Sequence, residues 1–185
     1  FGTAGLRGEM GPGPNRMNDT VVLQTSTAIA RYIKKFTQTP SVVIGYDARN
    51  QSDHFALLAS LAFRSEGVQV YFFPYIVPTP LLAHAVVKLE ATAGVMITAS
   101  HNPSDYNGMK IVGPKAKPIS MDSGLDEIMS LTEKATYVDY NECVELTKKD
   151  IRSDYINKVL SFVDINKINP LTVVFNAGNG CAGPV

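Results

Sequence analysis

The apolar positions of the chain change period as they run, and the changes divide it into elements. After a glycine-rich opening, Val22, Ile29, Ile33 and Phe36 recur at helical spacing, and Asn18 stands where a side-chain cap would start that helix. The run Val42-Val43-Ile44-Gly45-Tyr46 is too short and too continuous for a helix and reads as a buried strand. Ser52 then opens a second helix carrying Leu58, Leu61 and Ala62 toward Gly67, a suitable stop. Residues 68–73 predict a strand, and Pro78-Thr79-Pro80 suits the first turn of a helix reaching Leu89. A third strand is expected over 94–98, apolar on both faces.

Strands alternating with helices imply a parallel sheet covered on both sides, because each helix-length crossover returns the chain in the same direction. Residues 109–112 form a short strand reached by a tight loop, so it is expected antiparallel beside the third. A helix follows over about 122–133. Residues 137–147 read as irregular or short-strand structure, and 150–163 as a helix burying Ile151, Tyr155, Val159 and Phe162. After Asn169-Pro170 a new strand is expected over 171–175. The organisation expected is a mixed, mostly parallel α/β/α domain over 1–148, a linker helix over 149–170 and the start of a second, similar domain over 171–185.

Composition narrows the class without naming a function. In 185 residues, 45% are hydrophobic and 18% charged, and acids and bases balance at 17 each. That balance gives no reason to expect a nucleic acid or an anionic membrane as partner. The longest apolar stretch, 68–77, is interrupted by Gln69 and Pro74 and falls short of the roughly 20 residues of a membrane span. Two distant cysteines, Cys143 and Cys181, suggest neither a disulfide framework nor a zinc site, so a cytoplasmic setting is the expectation. Opening on Phe1 and closing on Gly183-Pro184-Val185, the sequence reads as a fragment.

Chemistry concentrates in Thr98-Ala99-Ser100-His101-Asn102-Pro103-Ser104-Asp105-Tyr106-Asn107-Gly108-Met109-Lys110. The stretch begins where a buried parallel strand ends, the edge of an open α/β sheet at which ligands bind. A serine there is rigidly held yet faces a cleft, and His101 and Lys110 bring two groups able to carry protons or positive charge. The same residues are also good turn formers, and Asn107-Gly108 alone accounts for a reversal. Spacing leaves both readings open. Asp47 and Arg49 read as a structural pair or turn bond, and His54 and His84 as packing or surface residues. Gly178-Asn179-Gly180-Cys181-Ala182-Gly183 formally fits the dinucleotide-binding glycine pattern, a weak match by itself.

The run 98–103 with Tyr106-Asn107-Gly108-Met109-Lys110 resembles the active-serine loop of the α-D-phosphohexomutases, the phosphoglucomutase and phosphomannomutase family. Phe1-Gly2-Thr3-Ala4-Gly5-Leu6-Arg7-Gly8 resembles the N-terminal motif of that family. Gly45-Tyr46-Asp47-Ala48-Arg49 with Ser52, and the stretch 173–183, are similar to further parts of it in the same order. The resemblance implies a phosphoserine at Ser100 that exchanges its phosphoryl group with a sugar monophosphate through a sugar 1,6-bisphosphate. It implies that Arg7 faces the phosphoryl group, that Lys110 acts as general acid/base or electrostatic partner, that His101 assists, and that Thr3 joins Arg7, Ser100 and His101 in binding phosphate. One Mg²⁺ is implied on the phosphate of Ser100, its other ligands lying outside this chain in the remaining domains of the same polypeptide. The fragment alone is then expected to be inactive. The opening and Asn15-Arg16-Met17-Asn18 look closer to the phosphoglucomutase and phosphopentomutase branch, so glucose 1-phosphate is the first substrate expected, a pentose 1-phosphate the second and mannose 1-phosphate the third. A phosphatase using the same serine and a non-catalytic phosphosugar-binding regulator are the alternatives.

Overall fold

A computed structural model describes residues 1–2, 5–135, 146–178 and 180–183. Its centre is a six-stranded sheet of β1 (Gly5–Glu9), β2 (Ser41–Tyr46), β3 (Gln69–Phe72), β4 (Ala93–Ile97), β5 (Tyr106–Val112) and β6 (Thr147–Lys148), in spatial order β1-β5-β4-β2-β3-β6. Strand β2 pairs in parallel with both β3 and β4, and β3 with β6, while β5 runs antiparallel to β4 and to β1. Five strands therefore share one direction and β5 alone opposes it. The sheet is mixed and mostly parallel, as the alternating pattern implies.

Helices α1 (Asp19–Ile33), α2 (Ser52–Ser65) and α4 (Leu125–Lys134) cover one face. Helices α3 (Thr79–Lys88) and α5 (Arg152–Leu160) cover the other. Alternation along the strands feeds both layers: Val42, Ile44, Val95 and Ile97 enter the first core, whereas Val43 and Met96 enter the second. Burying each such side chain contributes roughly 1.5–3 kcal/mol, so the strands add to the core alongside the helices that cover them. At Gly94 an added Cβ would lie 2.5 Å from Val86 Cγ2, so α3 packs directly on the backbone of β4.

Local chemistry sets the helix ends. Asn18 Oδ1 accepts a hydrogen bond from Val21 N at 3.0 Å, satisfying a first-turn donor of α1. That helix stops at Ile33, and Phe36, expected on its buried face, is 54% exposed beyond its end, edge-on to Tyr32. Gly67, at φ 76, closes the turn after α2. His54 meets Asp19 at the surface, and the His84 ring packs beside Tyr155.

Three further expectations are corrected. The N-terminal arm is not merely a glycine-rich lead-in: Gly5–Glu9 is an edge strand, paired with β5 through its whole length. In α5, Ile151 and Tyr155 pack on the second core, but Val159 and Phe162 are 43% and 74% exposed, because the helix meets the domain only through its first turns. Those turns are tied down by Tyr75, whose hydroxyl donates to Asp150 while the Arg152 guanidinium sits 4.2 Å from the ring centroid. Burial and that hydrogen bond push the Tyr75 phenol up to about 12. Residues 171–175, expected as a strand, form none in this structure and are highly exposed, since no described strand lies beside them to complete a ladder. The expected irregular segment 137–147 falls largely outside the described residues, except for its last two residues, the second of which begins β6.

Candidate active site

Because β2 and β4 are parallel neighbours with Tyr46 opposite Ile97, their carboxyl ends finish side by side and the polar residues that follow must meet. Asp47 receives both sets. Its Oδ2 accepts from Thr98 Oγ1 at 2.6 Å, and its Oδ1 accepts from Ser52 Oγ at 2.8 Å and Arg49 N at 3.1 Å. The Thr98 hydroxyl oxygen accepts in turn from Ser100 N at 2.9 Å. On the returning strand, Asn107 is fully buried; its amide donates to Asn50 O and Ser52 Oγ, both at 3.0 Å, and its carbonyl accepts from Gly108 N. Every polar group in this small buried network therefore has a partner, which is what makes its burial tolerable.

The loop itself closes on Arg49. Nη2 donates to the carbonyl oxygens of Ser100 at 2.8 Å and Asn102 at 2.6 Å, and Nη1 donates to those of Pro103 at 2.8 Å and Tyr106 at 3.1 Å. Nε faces Asp47 Oδ2 at 3.6 Å. Ser100 adopts φ 59, a left-handed conformation that a residue with a side chain holds at a cost of roughly 1–3 kcal/mol. Its side chain is exposed, and its hydroxyl has no hydrogen-bond partner among the described residues.

Positive charge reaches the loop from the sheet edge. In the β1–β5 register Gly5 faces Lys110 and Arg7 faces Gly108, so Arg7 and Lys110 lie on the same side of the sheet. Both line a cleft of about 340 Å³ with Phe1, Gly2, Gly5, Leu6 and Met109. Arg7 Nη1 lies 3.4 Å from Asn102 Oδ1, two residues beyond Ser100. Neither Arg7 nor Lys110 forms an ion pair with a described carboxylate. Close approach of the two strands depends on Gly108, where a Cβ would fall 2.3 Å from Leu6 O and 2.8 Å from Arg7 Cγ.

Of the residues singled out from the sequence, Ser100 and His101 thus stand exposed on the loop, and Arg7 and Lys110 share the adjoining cleft. His101 makes no hydrogen bond to a described residue, and Thr3 lies outside the described residues. Asp47 and Arg49, taken from the sequence as a local pair, also support the loop across 51 or more positions of chain. The available signal was partial: the sequence predicts parallel strands that each end in polar residues, but that β2 and β4 are neighbours is seen only in the structure.

Metal binding needs a donor set that the described residues do not supply. No group of three or more His, Cys, Asp or Glu side chains among them is arranged to hold an ion, and both Asp47 oxygens are already engaged. Among the described residues no such group of carboxylates accompanies the exposed Ser100 side chain. Among the described residues no helix is long and apolar enough to cross a membrane.

Residues 1–139 match the family described as phosphoglucomutase/phosphomannomutase, alpha/beta/alpha domain I. The chain is 34% identical over 194 residues to a phosphoglucomutase of Staphylococcus haemolyticus, spanning all of this chain and 35% of the relative. To a phosphomannomutase of Salmonella typhimurium it is 36% identical over 182 residues, 97% of this chain and 38% of the relative. A crystal structure from Thermus thermophilus, provisionally named a phosphomannomutase, superposes with a TM-score of 0.80 at 29% identity, over 90% of this chain and 36% of the other. The chain thus spans about a third of the length of the proteins it matches.

Proposed function

From the premise that this chain belongs to the phosphoglucomutase/phosphomannomutase family, we propose that in the intact protein it carries the phosphoserine of a mutase that interconverts glucose 1-phosphate and glucose 6-phosphate. The observation that carries the reading is the exposed, unpartnered hydroxyl of Ser100 on a backbone fixed at both its N–H and its C=O, with Arg7 and Lys110 in the adjoining cleft.

In this reading a free hydroxyl of the bound sugar monophosphate attacks the phosphorus on Ser100. The new sugar O–P bond forms as the Ser100 Oγ–P bond breaks, and the hydroxyl proton passes through Lys110 or His101 to the departing Oγ. The sugar bisphosphate so made turns in the cleft and returns its other phosphate to Ser100 by the reverse chemistry. Such transfer depends chiefly on positioning and on charge held ready for the phosphoryl oxygens, which Arg7 supplies. Magnesium bound to the Ser100 phosphate would add further charge neutralisation, with its carboxylate ligands drawn from the rest of the polypeptide. The exposed apolar residues of 159–175 support the reading that other domains of the same protein cover them. Mannose 1-phosphate is the second substrate reading, favoured by the 36% identity to a phosphomannomutase.

The test is an assay of the intact protein on glucose, mannose and ribose 1-phosphates with Mg²⁺ and a catalytic amount of sugar 1,6-bisphosphate. Glucose 1-phosphate is expected to turn over fastest, and Ser100→Ala to remove nearly all activity without loss of fold. Wild-type turnover by Ser100→Ala excludes the covalent route.

A further inference from the structure

The two peptide groups flanking Ser100 are gripped by different side chains. Thr98 Oγ1 accepts from its N–H at 2.9 Å and Arg49 Nη2 donates to its C=O at 2.8 Å, so φ and ψ are each fixed from outside the residue. Both gripping groups answer to one carboxylate, since Asp47 Oδ2 lies 2.6 Å from Thr98 Oγ1 and 3.6 Å from Arg49 Nε. The guanidinium is also fully committed: its four terminal N–H groups meet four carbonyls of residues 100–106, and its fifth faces Asp47. A lysine could keep the charge but has no planar fork to gather four oxygens.

We propose that Arg49 is a positioning residue for phosphoryl transfer, its guanidinium drawing in the carbonyls of Ser100, Asn102, Pro103 and Tyr106 so that Ser100 keeps the left-handed conformation in which its side chain stands exposed. The inference rests on the mutase reading. Without the fork, four carbonyl dipoles that point at one spot lose their common partner, and Ser100 relaxes toward the ordinary regions of backbone space, moving its hydroxyl from the position that this conformation sets. A displacement of about 1 Å suffices to slow an in-line transfer on the order of 100-fold.

The experiment uses the intact protein and radiolabelled sugar 1,6-bisphosphate. In the single-turnover step a phosphate O–P bond of the bisphosphate breaks, Ser100 Oγ takes the phosphoryl group, and the serine proton passes to the sugar oxygen released. Arg49→Lys is expected to label on the order of 100-fold more slowly per folded molecule, with KM changed less than about threefold. Millimolar guanidinium, far below denaturing levels, is expected to accelerate Arg49→Ala saturably by about tenfold or more and to leave wild type unchanged. Rescue of rate is a response that a purely structural arginine would not give. Labelling by Arg49→Lys within about twofold of wild type, or a folded Arg49→Ala deaf to guanidinium, overturns the proposal. If Arg49→Ala does not fold, the Arg49→Lys rate decides alone, and unfolding of both variants overturns the positioning role in favour of a structural one. A wild-type protein that takes no label onto Ser100 is a different failure, that of the mutase reading, and is independent of residue 49.

Discussion

Thr98 Oγ1 donates to Asp47 Oδ2 at 2.6 Å, and this one contact ties together the ends of two neighbouring parallel strands. The same hydroxyl oxygen receives the N–H of Ser100, so the bond connects the sheet to the candidate nucleophile. Replacing Thr98 by valine keeps the shape and removes both interactions. We expect a loss of about 1–3 kcal/mol in stability, the cost of buried polar groups left without partners. Urea denaturation of the intact protein measures it, and a change below about 0.5 kcal/mol contradicts the network described here.

Gly108 permits the edge strand to carry Arg7. With alanine at 108 the new methyl meets the backbone oxygen of Leu6, which has no rotamer through which to escape. Overpacking of this kind costs about 1–3 kcal/mol and is expected to separate β1 from β5. Hydrogen exchange should show the amides of β1 losing protection, whereas Gly2→Ala, where a Cβ meets nothing within 4 Å, should leave them protected. Equal protection in the two variants would refute the dependence.

Lys110 lies on the side of β5 that lines the cleft with Arg7. Lys110→Met preserves most of the side-chain volume and removes the ammonium. We expect kcat to fall by about 10²–10⁴-fold with a smaller change in KM, since proton handling and charge stabilisation act mainly in the transition state. Steady-state kinetics on the intact protein distinguishes the roles, and a pure KM effect reassigns Lys110 to substrate binding.

Glu66 joins the end of α2 to α1. Burial by itself would raise its carboxyl, but hydrogen bonds and charge from Lys34 and Arg31, at 3.0 and 2.9 Å, outweigh it and hold the group below its ordinary value of 4.5. A carboxyl depressed on folding contributes stability that is complete above the unfolded value and fades as pH falls through the folded one. The wild-type protein should therefore lose stability relative to Glu66→Gln as pH drops below about 4.5. Melting curves of the two proteins from pH 7 to 3 test this, and parallel curves would deny Glu66 the role.

The site was only partly legible before folding. Ser100, His101 and Lys110 lie within eleven positions of one another, so a turn between strands was enough to suggest them as a group. Arg7 needed the antiparallel register of β1 on β5, for which five residues containing two glycines give little periodic signal. Arg49 was set aside as half of a local pair because its four main-chain acceptors belong to a loop more than 50 residues away. In α5, helical spacing named Val159 and Phe162 as buried, but periodicity identifies an apolar face without saying what lies against it.

The sequence by itself determined helices α1 to α5, strands β2 to β5 and a mostly parallel sheet, because period, caps and crossover length act over a few residues and tolerate few alternatives. Only the tertiary structure decided which polar groups meet where parallel strands end side by side. That choice depends on strand order and register, long-range relations through which Asp47, Thr98 and Arg49 become one support for Ser100.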